Sequence, residues 1–213
     1  MPVLLKRLLV LSASAAATSV FLSGGAALAS GPVNVTPPPA VVITSPAARD
    51  WSGFYGGLGL ASVGGAITDN NLGFAFTPDM VRTTGFGAFA GYNVQRGSFV
   101  YGGELNYVNF SGEHVGFPTW VQENLLEVRA RAGYAMGSVL LYGYVGAAWS
   151  TSNDGGAVFD QTGISYGLGG QMMFHGGMFV GLELGRADVS GDLAGFTQGS
   201  RIDTLSLRVG YQF

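Results

Sequence analysis

The chain closes on "LSLRVGYQF". Leu205, Leu207, Val209, Tyr211 and Phe213 share one side of an extended strand, and Ser206, Arg208, Gly210 and Gln212 share the other. A period of two is the signature of a strand with unlike faces. The same texture recurs from Trp51 onward in eight runs: 51–63, 83–94, 98–110, 123–135, 138–150, 162–174, 177–187 and 200–213. Each run is long enough to cross a bilayer as a tilted strand, which takes about 9–11 residues. The connections alternate between tight turns ("QRG", "MG", "HG") and long segments (64–82, 111–122, 151–161, 188–199). That sorting predicts an all-β, eight-stranded, antiparallel, up-and-down transmembrane β-barrel, with short turns at one rim and long loops at the other.

The fourth run orients the faces. In "LEVRARAGYA", Glu127, Arg129, Arg131 and Gly133 alternate with Leu126, Val128, Ala130, Ala132 and Tyr134. Arginine facing hydrocarbon at mid-membrane costs about 2–4 kcal/mol, so the charged side must face inward. The same phasing sends Glu104, Asn106, Glu183 and Arg208 inward and Leu205 to Tyr211 toward lipid. Glu104, Glu127 and Glu183 then meet Arg129, Arg131 and Arg208 in one lumen. An eight-stranded barrel is only wide enough for side chains to fill it, so these charges are expected to pair. The fifth run, "LLYGYVGAA", is apolar on both faces and its phase stays open. Trp51, Tyr92, Phe99, Phe110, Trp149, Phe174, Tyr211 and Phe213 fall near strand ends, as interfacial girdles require.

Composition narrows the function classes. Gly reaches 36 residues, charged residues are only 11%, and mean hydropathy is +0.32. After the first thirty residues no apolar run of about 18 appears, so no spanning helix is expected. Cys is absent, which removes thiol catalysis, disulfides and thiolate metal sites.

The start of the chain reads differently. Residues 1–29 have a basic n-region (Lys6, Arg7), an apolar middle and an Ala27-Leu28-Ala29 site, the form of a signal peptide cleaved after Ala29. Its removal takes Lys6 and Arg7, lowering the net charge from −3 to −5 and leaving no Lys. Nucleic acid is therefore not an expected partner. Residues 30–50 hold five of the eight prolines and read as a Pro-rich periplasmic linker. The barrel is expected over 51–213. A tether to peptidoglycan through the N-terminal amine is an expectation for the linker.

The "DWSGFYGG" of residues 50–57 and the terminal "VGYQF" give the chain a family resemblance. It resembles the small alphaproteobacterial outer-membrane β-barrel family, porin-like and related to the OmpA-like transmembrane barrels. The resemblance covers about residues 50–213. It implies an outer-membrane location, delivery by periplasmic chaperones, and Phe213 as the signal presented to the barrel-assembly machinery. It does not imply one activity, since members are described as structural proteins, surface antigens, narrow pores or adhesins.

Other constellations carry less. Ser111, Glu113 and His114 place hydrolase-like residue types side by side, but neighbours on a flexible loop lack the oriented geometry of a triad. The glycines of "GFGAFAG" lack the strand-to-helix context of a nucleotide loop. Asp69, Asp79, Glu113, Asp154, Asp160, Asp188 and Asp192 fall in the long segments, without EF-hand spacing. Arg82, Arg186 and Arg201 at the outer strand ends are candidate contacts for lipopolysaccharide phosphates. Leu72, Phe74, Phe76, Phe117, Trp120, Phe159 and Phe196 are candidate adhesive residues. No cofactor, metal site or catalytic residue is expected. The reading is a non-enzymatic structural barrel supporting envelope integrity; the alternatives are a narrow low-conductance porin or a surface adhesin acting through its outer loops.

Overall fold

The computed structural model describes residues 49–70 and 77–213. The signal peptide expected at 1–29, all but the last two residues of the expected 30–50 linker with its peptidoglycan tether, and Leu72, Phe74 and Phe76 lie outside the described residues. The strands are β1 (Gly53–Asn70), β2 (Asp79–Arg96), β3 (Phe99–His114), β4 (Phe117–Met136), β5 (Val139–Asp154), β6 (Ala157–Met173), β7 (Met178–Leu193) and β8 (Phe196–Gln212). Each pairs antiparallel with the next, and β8 pairs with β1 to close the ring.

The long segments expected as loops are for the most part strand. β3 and β4 continue to a turn at Val115–Gly116, β5 and β6 to Gly155–Gly156, and β7 and β8 to Ala194–Gly195. Strands of 16 to 20 residues exceed the roughly 9–11 that cross a bilayer, so the wall projects well beyond the membrane. The physical reason this escapes the hydrophobic pattern is plain. Above the membrane, outward positions meet water and inward ones carry Gln122, Ser150, Ser152, Gln161, Gln198 and Ser200, all buried. Both faces are polar there, so the period of two disappears while backbone pairing continues.

The fifth strand acquires its phase. Leu140, Tyr142, Tyr144, Ala148, Ser150 and Ser152 point inward, whereas Leu141, Val145 and Trp149 are exposed outside. Six of the expected girdle residues, Tyr92, Phe99, Trp149, Phe174, Tyr211 and Phe213, are exposed on the outer surface. Trp51 and Phe110 are not, being only 1% and 5% exposed. Phe110 shares the inward phase of Val108. Trp51 precedes β1 and turns under the barrel base, where its backbone N–H donates to Gln95 Oε1 (2.7 Å) and its ring packs 6.5 Å from Phe179.

Candidate functional site: the charged lumen and the outer rim

Along the barrel axis the interior is layered. At the end where β1 begins and β8 ends, Trp51, Val100, Ala135, Leu140, Met173 and Phe179 form an apolar floor. Above it Tyr55, Phe89, Tyr142 and Tyr144 frame the six charged residues named from the sequence, all brought into one cluster. An apolar layer of Val63, Val108, Phe110, Leu125, Val189 and Ile202 follows. Beyond it lies the glutamine–serine layer, where Gln122 Nε2 donates to Gln161 Oε1 (3.0 Å) and Gln161 Nε2 to Ser200 Oγ (3.0 Å).

The cluster forms because strand register sets charges opposite one another. Glu104 on β3 pairs directly with Arg129 on β4, and β7 brings Glu183 toward Arg208 on β8. Arg129 donates to all three carboxylates: Glu104 (3.3 Å), Glu183 (2.6 Å) and Glu127 (2.5 Å). Glu104 also accepts from Arg131 (2.8 Å), Arg208 (2.6 Å) and the Tyr55 hydroxyl (2.9 Å). Glu183 accepts from Arg208 and from the Tyr142 hydroxyl (2.7 Å). Asn106 donates to Glu127 (2.8 Å), and Arg131 to Gln171 (3.1 Å). Each guanidinium also lies over a ring: Arg208 on Phe89 (3.8 Å), Arg131 on Tyr142 (3.8 Å) and Arg129 on Tyr144 (4.1 Å). Three positive and three negative charges thus leave the cluster neutral, which is the condition for burying them.

The aromatic frame was not legible from charge pattern alone, and the glycines show how it fits. A Cβ at Gly169 would stand 2.3 Å from the Tyr142 ring, one at Gly167 2.6 Å from Tyr144, and one at Gly91 2.4 Å from the Tyr55 hydroxyl. One at Gly210 would stand 2.4 Å from Phe179. Many inward glycines therefore pair with a ring on a neighbouring strand. The signal available in the sequence was the inward Gly phase of β6 beside the unassigned tyrosines of β5.

At the outer rim the three candidate arginines part ways. Arg186 is held by Asp203 (Nε to Oδ1, 2.6 Å) and Arg201 faces Asp188 (3.5 Å), both as directly opposed pairs of β7 and β8. Among the described residues Arg82 makes one side-chain hydrogen bond, to the Ser62 hydroxyl at 3.3 Å. Ser111 and Glu113 point outward while His114 is buried, so strand alternation puts His114 on the face opposite the other two. The His114 ring shares a hydrogen bond with the Trp120 carbonyl (3.0 Å), and burial holds its pKa below the ordinary histidine value. Phe117 and Trp120 stack at 4.6 Å, Phe159 is buried, and Phe196 is exposed. Phe213 donates its backbone N–H to the Phe54 carbonyl (2.8 Å) and its ring stays 78% exposed. No group of three potential metal ligands occurs among the described residues.

Known proteins bear on this wall. Residues 8–213 match the family described as outer membrane protein beta-barrel domain. A 22 kDa outer membrane protein of Rhizobium leguminosarum bv. viciae is 30% identical over 182 residues, covering 78% of this chain and 80% of that protein. A 25 kDa outer-membrane immunogenic protein of Brucella canis is 31% identical over 219 residues, covering 88% and 91%. Among solved structures, the attachment invasion locus protein Ail of Yersinia pestis superposes with a TM-score of 0.48 at 16% identity, over 76% of this chain and 99% of Ail. Neisserial surface protein A gives 0.47 at 17% identity, over 76% and 98%. With its ring of eight strands, its apolar outer band and its matched span, the chain belongs to the outer membrane protein β-barrel family and is a protein of the outer membrane.

Proposed function

We propose that this protein is a closed, non-enzymatic structural barrel that contributes to envelope integrity. One observation carries the reading: the lumen is occupied at every level, with the neutral six-charge cluster sandwiched between the apolar floor and the apolar layer above it. An ion crossing it would have to separate guanidinium–carboxylate pairs buried among rings, and breaking such a pair costs about 3–5 kcal/mol. Catalysis finds no support in the residues that prompted it, because Ser111 and Glu113 face away from His114.

Single-channel recording of the folded protein in planar bilayers tests the closure, beside a variant carrying Arg129→Ser and Arg131→Ser. Silence from the wild type with steps only in the variant is expected. Discrete wild-type steps that change size in the variant would replace this reading with a narrow pore. The envelope role is tested in cells lacking the protein, which should become permeable to detergent. A chain with the β3–β4, β5–β6 and β7–β8 hairpin tips exchanged should restore them. A second reading, surface binding, rests on the Phe117–Trp120 stack and exposed Phe196. It would be favoured if the exchanged chain failed to restore the cells.

A further inference from the structure

The outside of β6, β7 and β8 changes character at one level. Leu168, Leu184 and Leu205 stand opposite one another across the three strands and are exposed. One outward position further from the membrane centre stand Tyr166, Arg186 and Asp203, again opposed across the strands. In a membrane barrel such a step from apolar to charged marks the border between hydrocarbon and headgroups. A groove of about 440 Å³ opens at this border, lined by Arg82, Tyr166, Leu168, Leu184, Arg186 and Asp203 among others.

Charge within the groove is unevenly compensated. Asp203 takes Arg186 in two hydrogen bonds, 2.6 and 3.2 Å, and Asp188 takes Arg201 together with the Tyr166 hydroxyl. Arg82 enters from β2 by lying across β1. Its guanidinium carbon and two nitrogens would stand 3.5, 3.6 and 3.9 Å from a Cβ at Gly64, the residue of β1 opposed to Asp203. The flat group thus rests where β1 has no side chain. Among the described residues no carboxylate pairs with it. The groove therefore holds one net positive charge above a leucine floor.

We propose that this groove binds the phosphate of an outer-leaflet lipid, with an acyl chain along Leu168 and Leu184. Arg82 supplies the uncompensated charge and a planar fork of N–H donors matched to two phosphate oxygens. Arg186 frames the site while Asp203 holds it in place. Strand register is what separates the three rim arginines: it neutralises Arg186 and Arg201 and leaves Arg82 to act. The phosphate source is either the lipid A glycolipid or a phospholipid, and the two share this chemistry.

The test is native mass spectrometry of the folded protein in neutral maltoside micelles, titrated with lipid A, with phosphatidylglycerol and with a phosphate-free glycolipid. Arg82→Gln should weaken binding of the phosphate lipids about tenfold or more, the worth of a lost charge-assisted hydrogen bond. Gly64→Val, which displaces the guanidinium but keeps its charge, should do the same. Arg201→Gln, whose charge is already paired, should change affinity less than about threefold. Heat-modifiable gel mobility confirms that each variant is folded. Preference for lipid A over phosphatidylglycerol, or the reverse, supports the site and names its source. Equal losses in Arg82→Gln and Arg201→Gln, no loss in Arg82→Gln, or equal binding of the phosphate-free glycolipid would overturn it.

Discussion

Replacing Glu104 with Gln tests the logic of the lumen most directly. Glu104 accepts hydrogen bonds from Arg129, Arg131, Arg208 and Tyr55, and its side chain is 1% exposed. The substitution keeps shape and some hydrogen bonding but leaves three buried guanidinium groups facing two carboxylates. Breaking a buried pair from one side costs about 3–5 kcal/mol, because the orphaned charge stays desolvated. Urea unfolding in micelles or vesicles, followed by heat-modifiable gel mobility, should show a loss of that size. Glu113→Gln, on the exposed outer face of the same strand, should stay within about 0.5 kcal/mol of wild type. Adding Arg131→Met to Glu104→Gln restores charge balance, so the double variant should recover a large part of the loss, as coupled neighbours do. A loss under about 1 kcal/mol for Glu104→Gln, or full additivity in the double variant, would refute the argument that neutrality holds the cluster together.

Four further outcomes follow from the geometry. Gly169→Ala drives a methyl group into the Tyr142 ring and should destabilise by about 1–3 kcal/mol, whereas the outward Gly143→Ala, with its nearest neighbour 3.4 Å away, should be close to neutral in the same unfolding assay. Ala194 opens the β7–β8 turn at φ 52°, a conformation costing a non-glycine residue about 1–2 kcal/mol, so Ala194→Asn should raise stability by up to about 1 kcal/mol. His114, outside the membrane and held neutral mainly by burial, takes its proton less readily folded than unfolded. Above the ordinary value near pH 6.5 both states are neutral, so stability there is independent of pH. Below about 6.5 the unfolded hairpin protonates first, and stability falls until the folded pKa is passed. Amide protection factors in the β3–β4 tip, with the pH dependence of intrinsic exchange divided out, should therefore fall on going from pH 7.5 to 5, and His114→Gln should remove that dependence. Deleting Phe213, whose ring is exposed and held by an edge-on contact with Tyr211 (5.0 Å) beside its backbone N–H, should impair assembly in cells while leaving refolding in micelles nearly unchanged; equal defects in both would mean that its role is structural.

The sequence by itself determined the number of strands, their order and the identity of the inward charges. Lipid does this work: within its thickness the outward positions must be apolar, so Leu205, Leu207 and Val209 stand in contrast to Ser206 and Arg208, and the period of two is visible. Where that contrast fails, tertiary structure decided. Tyr142 and Tyr144 alternate with equally apolar Leu141 and Val145, and only the closed ring sends the tyrosines inward against Gly169 and Gly167. Above the membrane water meets the outer face and glutamine and serine fill the inner one, so the strand extensions carried no hydrophobic signal. Pairing across strands was equally hidden. Arg82, Arg186 and Arg201 look alike along the chain, yet register sets Asp203 opposite Arg186 and Asp188 opposite Arg201, and leaves Arg82 lying across Gly64. A linear pattern records what each residue prefers to face; which residue it faces depends on closing the ring.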